Sequence, residues 1–177
     1  HMLHKFLAMF LLLATAAALA QPGPQILVAT GKEVHIQTKS AGTVICVGGE
    51  PTTQGPPCSP GTKRIFIISR MNVLEYQDVT GSAAAMLRGN NNTVAHCNLD
   101  ENYFGHCWGT FLWEIPEMGG VWEGTWSAST DQAKRITINS AMGHGYGGKL
   151  EGLQLKFDGV NPGGLPHAIF IARIQGM

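Results

Sequence analysis

Gly119-Gly120-Val121-Trp122-Glu123-Gly124-Thr125-Trp126 returns in outline further along the chain as Gly147-Gly148-Lys149-Leu150-Glu151-Gly152. Both stretches read Gly-Gly-x-(large apolar)-Glu-Gly, and alternating residues follow each. Paired glycines favour a turn, and alternation favours a strand with one covered face. The pattern is a turn feeding a strand, used twice.

Working outward, strands are expected at Trp108 to Ile115, Val121 to Ser129, Arg135 to Met142, Lys149 to Val160 and His167 to Ile174. Pro116 to Gly120 joins the first two at hairpin length. Upstream, Gln25 to Ile36 reads as one or two short strands in which Val34 and Ile36 share a face, and Thr43 to Val47 is a compact β-branched run. Arg64 to Tyr76 begins with Ile65-Phe66-Ile67-Ile68, apolar on both faces. Gly48 to Gly61 has the composition of a long loop, and Gly89-Asn90-Asn91-Asn92-Thr93 that of a turn. Gly81 to Leu87 favours helix but is too short to be stable alone. About seven to nine strands without a useful amphipathic helix describe an all-β fold, an antiparallel barrel or sandwich. Gly109, Gly124 and Gly152 fall in strand-like runs, where glycine suits the bends and close approaches of a closed sheet, so a barrel is expected.

The first 20 residues have the basic start, apolar middle and Ala18-Leu19-Ala20 ending of a secretory signal peptide, with cleavage expected after Ala20 and a single domain over 21–177. An uncleaved anchor is the alternative. Twelve Lys and Arg balance twelve Asp and Glu. No basic stripe calls for a nucleic acid or an anionic membrane. In a secreted chain, Cys46 with Cys58 and Cys97 with Cys107 are the simplest disulfides, each closing a local loop. The repeated His96-Cys97 and His106-Cys107 pairs raise a metal site as the alternative, but the Cys-x(2–4)-Cys spacing of zinc sites is missing.

Trp108-Gly109-Thr110-Phe111, Gly119 to Trp126, and Gly143-His144-Gly145-Tyr146-Gly147-Gly148-x-Leu150-x-Gly152 resemble secreted proteins of the allene oxide cyclase barrel-like group, related in fold to plant dirigent proteins. The resemblance covers roughly Trp108 to Ile174. It implies an antiparallel barrel of about eight strands with an apolar interior, often trimeric. The cyclases rearrange a lipid epoxide and the dirigents steer radical coupling. No functional residue of either carries over by a matching motif.

From the residues themselves, Glu123, Glu151 and His144 are the catalytic candidates: two carboxylates at equivalent places in the repeat, and an imidazole between glycines, suited to acid–base work. Alternation sets Glu123 opposite Trp122 and Trp126, whereas Glu151 shares a face with Leu153 and Leu155, so the two glutamates need not meet. Trp108, Trp113, Trp122, Trp126 and Tyr146 are candidates for a ligand pocket. Asn91-Asn92-Thr93 is a glycosylation sequon, relevant if the source glycosylates. No hydrolase, phosphate-loop, dinucleotide or His-Glu-x-x-His signature occurs, and no cofactor is expected. The expected function is binding of a small apolar or aromatic ligand, non-catalytic or dirigent-like. The alternatives are an isomerase or cyclase acting on a lipid-like substrate, and a structural, self-assembling extracellular protein.

Overall fold

The computed structural model describes residues 25–53, 56–131, 136–163 and 165–176. The expected signal peptide and its cleavage site lie outside the described residues. Nine strands make one sheet: β1 (Leu27–Ser40), β2 (Thr43–Val47), β3 (Arg64–Gly81), β4 (Asn90–Asp100), β5 (Phe104–Ile115), β6 (Gly120–Asp131), β7 (Ile136–Tyr146), β8 (Leu153–Asn161) and β9 (His167–Gly176). From β3 to β9 each strand pairs antiparallel with the next. β9 pairs with β1, and β1 pairs with β3, which closes the sheet. The chain is an eight-stranded antiparallel β-barrel, with β2 as an extra strand that continues the line of β1 along the start of β3.

One end of the barrel is plugged. The β3–β4, β5–β6 and β7–β8 connections carry short 3-10 turns, at Ala84–Leu87, Pro116–Met118 and Gly148–Leu150. Leu87, Ile115, Trp122 and Leu150 are fully buried there. The two large apolar residues of the glycine repeat, Trp122 and Leu150, are thus both plug residues. Burial of each such side chain contributes about 1.5–3 kcal/mol. The Trp122 indole also donates to Met86 O at 2.8 Å, which satisfies its one polar group.

The repeat is a sequence likeness with two structural outcomes. Glu123-Gly124 continues as strand within β6, whereas Gly147 to Gly152 is the turn between β7 and β8, with Gly147, Gly148 and Gly152 at positive φ. The strand expected from Lys149 therefore begins at Leu153. Gly109 and Gly124 do lie within strands. A Cβ on Gly124 would sit 2.0 Å from Met142 O and 2.8 Å from Phe111 Cε1. Glycine there lets the Phe111 ring lie flat against the inner wall.

Two further expectations change. The asparagine-rich run is the start of β4, not a turn: Asn91 and Thr93 point inward and are buried, so alternation holds through it. The helix-favouring run condenses into the Ala84–Leu87 3-10 turn. Both local disulfides are present, Cys46–Cys58 and Cys97–Cys107, and they mark an oxidising environment. The second joins directly paired residues of β4 and β5.

In β3 the inward face changes parity. Ile65 and Ile67 are buried, then a bulge with Ser69 at φ 56 shifts the register, and Arg70, Asn72, Leu74 and Tyr76 take the inner face. An extra residue in one strand has this effect on everything after it. The first part of β3 builds a second small core with Leu99 and Cys58, and the later part faces the barrel interior.

Candidate functional site

Between the plug and the opposite end lies a cavity of about 210 Å³. Its walls are mostly apolar: Phe111, Trp113, Trp126, Leu155 and Phe157 among others. Tyr76 stacks on Trp113 at 3.9 Å between ring centroids, and Phe157 and Phe170 meet Tyr76 edge-on.

Among the described residues one carboxylate lines this cavity. Glu33 stands on β1 directly across from Tyr76 on β3, both facing inward, brought together by the pairing of consecutive barrel strands. The Tyr76 hydroxyl donates to Glu33 Oε2 at 3.1 Å, and Asn139 Nδ2 donates to Glu33 Oε1 at 3.1 Å. Asn91 Nδ2 in turn donates to Tyr76 Oη at 2.8 Å. The chain of bonds runs from β4 through β3 and β1 across the lumen to β7. Burial in this apolar surround pushes the Glu33 carboxyl up to about 7, and the two donated hydrogen bonds offset only part of that rise. Burial, and then the negative charge of Glu33, push the Tyr76 hydroxyl well above its ordinary value, so it stays a proton donor. A carboxyl balanced near neutrality in a largely apolar cavity can take or give a proton.

Beside the cavity sits a second polar group. Asn72 lines it, Thr38 Oγ1 donates to Asn72 Oδ1 at 3.1 Å, and Arg70 Nη2 donates to Thr38 Oγ1 at 3.3 Å.

The candidates from sequence distribute unevenly. Trp113 and Trp126 line the cavity. Trp122 belongs to the plug and is not among the cavity-lining residues. Trp108 lies on the outer surface, 45% exposed, flanked by the His96 and His106 rings. Tyr146 is also exposed.

None of the three proposed catalytic residues reaches the interior. Glu123 and His144 are cross-strand neighbours on the outer face of β6 and β7. Glu151 accepts the Gly147 backbone N–H at 2.6 Å and so holds the turn. The reason is parity: the inward residues of β6 are Trp122, Gly124 and Trp126, which leaves Glu123 outside.

Asn91 is also corrected. Its side chain is buried and bonded to Tyr76, so a glycan there is incompatible with the folded barrel. Among the described residues no group of three His, Cys, Asp or Glu is placed to hold a metal ion.

The alternation of Val34 and Ile36 points to the wrong face of β1: Ile36 is 52% exposed, and the inner face is Ala29, Gly31 and Glu33. The available signal is an acidic residue alternating with small ones, opposite a mixed face of Val28, Thr30, Lys32 and Val34.

No family model matches the chain, and no curated protein or solved structure matches it.

Proposed function

We propose that this is a secreted barrel that binds one small apolar or aromatic ligand in the cavity over Trp113, with Glu33 as its polar contact. The observation that carries this reading is one carboxyl group, alone of its kind among the described lining residues. The wall around it is apolar over most of its area and otherwise carries only neutral polar groups such as Asn72, Thr93 and Ser140. Such a site, apolar with a few placed polar groups, is the usual form of a small-molecule pocket. The two disulfides and the signal-like leader support secretion. The resemblance of the glycine motifs to those of allene oxide cyclase-like and dirigent-like proteins is in keeping with a ligand-binding rather than a purely structural barrel.

Titration with naphthalene, followed by tryptophan fluorescence, tests it. Saturation at one equivalent is expected in the wild type, and Ala141→Phe, which fills the cavity, removes it. An equal response from both proteins would sink the reading.

An isomerase or cyclase is the second reading, and the position of Glu33 favours it. The acid–base group would then be Glu33, not Glu123, Glu151 or His144. Glu33→Gln would abolish turnover of a candidate substrate while leaving the fold intact. Homo-oligomerisation, including a trimer, would use outer apolar residues such as Trp108, Ile138 and Met142. Sedimentation velocity of the wild type and Met142→Glu decides it, a monomer in both excluding it.

A further inference from the structure

Glu33 is flanked by two amides, Asn139 directly and Asn91 through Tyr76. Each gives its N–H to the network, and each leaves its own carbonyl oxygen buried without a partner. A buried acceptor left unpaired is costly, and a network built only to hold a carboxylate has no use for two of them. One or the other becomes useful once Glu33 carries a proton, according to which oxygen holds it.

We propose that Asn91, Tyr76, Glu33 and Asn139 form a switchable relay, in which the amides rotate when Glu33 gains a proton. The cavity then presents more acceptor sites in the anionic state than in the protonated one. The proposal rests on the reading of the cavity as a ligand site.

The proton count is simple. In the anionic state Asn91 Nδ2–H donates to Tyr76 Oη, and Tyr76 O–H donates to Glu33 Oε2. With a proton on Oε2, Glu33 O–H donates to Tyr76 Oη, and Tyr76 O–H turns to Asn91 Oδ1 after a half-turn of that amide. With the proton on Oε1 instead, Glu33 O–H donates to Asn139 Oδ1 after the same rotation. Tyr76 keeps one proton throughout, and the proton gained comes from solvent or from a bound molecule. A carboxylate has about four acceptor sites. Two are taken, which leaves room for a ligand hydroxyl or amine in the anionic state. The protonated state commits its one O–H to Tyr76 or Asn139 and so loses an acceptor site for such a ligand.

A glycine leaves the space that the Asn139 side chain occupies. Asn139 Oδ1 lies against Gly159, where a Cβ would come within 2.1 Å of it. Tyr76 is the titratable group bonded to Glu33. Beside Glu33, β9 presents Ala168 and Phe170, β7 presents Asn139, and β4 presents Asn91. Lys32, the next residue on β1, is paired with Asp78 on the outside, and His35 bonds to Thr38 and lies near Asn72.

The test is a pH titration by NMR, following the Glu33 carboxyl carbon and the side-chain amides of Asn91 and Asn139. Both amides are expected to change with the Glu33 midpoint in the wild type, and to lose their pH dependence in Glu33→Gln. In Tyr76→Phe the Asn91 amide should stop following Glu33 while Asn139 continues. An Asn91 amide that ignores Glu33 in the wild type, or still follows it in Tyr76→Phe, overturns the relay. Naphthalene has no polar group, so its binding tests the cavity alone. Failure to bind it removes the ligand-site reading and leaves the amide titration to be judged by itself.

Discussion

Glu33 exerts its effect through burial, and the same burial makes it a liability for stability. Its folded value near 7 lies above the ordinary 4.5, so between those values the folded state holds more protons than the unfolded one. Stability is then fully present below about pH 4.5 and falls as pH rises through 7, by on the order of 3 kcal/mol at most. Glu33→Gln is expected to melt higher than the wild type at about pH 8 and to lose that advantage at about pH 4. Thermal melts at the two pH values check this. At Trp122 the balance is simpler. Trp122→Ala removes a fully buried plug residue and should cost about 3–5 kcal/mol in urea unfolding. Trp122→Phe, which mainly forgoes the bond to Met86 O, should cost far less.

At the scale of elements, the strands share one sheet but not one core. The interior cluster contains no cysteine, whereas Cys58 belongs to the separate cluster with Ile65, Ile67 and Leu99. Replacing Cys46 and Cys58 by alanine should therefore loosen β2 and the start of β3 and spare the strands around Trp113. Hydrogen exchange resolves this directly, with protection lost at Val44 to Val47 and kept at Phe111 to Trp113. Within β6, Gly124→Ala brings a Cβ against Met142 O and the Phe111 ring, and neither a backbone carbonyl nor a packed ring gives way cheaply. A loss of roughly 1–3 kcal/mol is expected on chemical unfolding.

The whole molecule closes by joining its ends. β1 pairs with β9 and β3, so Ala29 lies beside Ala172 and Glu33 beside Tyr76. The first and last strands must meet before the lumen exists. Loop-closure entropy is thus spent before the interior contacts form. Folding on the scale of milliseconds to seconds is expected, slow for the chain's size, as for other sheets dominated by distant pairings. Stopped-flow tryptophan fluorescence measures it, and a microsecond folding phase would contradict the closure argument.

The amino-acid sequence by itself determined the local features: an all-β chain, most strand centres, the local pairing of the cysteines, and glycines placed for a closed sheet. These are set by neighbours along the chain, through alternation, turn chemistry and short loops. Only the tertiary structure decided which face is inside. Alternation says that Glu33 opposes Val34 and that Glu123 opposes Trp122, but not which of each pair meets the lumen. Two faces of β1 that differ little in polarity and a bulge that changes parity within β3 defeat the inference from pattern alone. The cavity network joins residues far apart in sequence, Glu33 with Tyr76, Asn91 and Asn139. No local signal connects Glu33 with Asn139, because their proximity across the lumen is a product of barrel closure, whereas Tyr76 meets Asn91 and Glu33 through paired neighbouring strands.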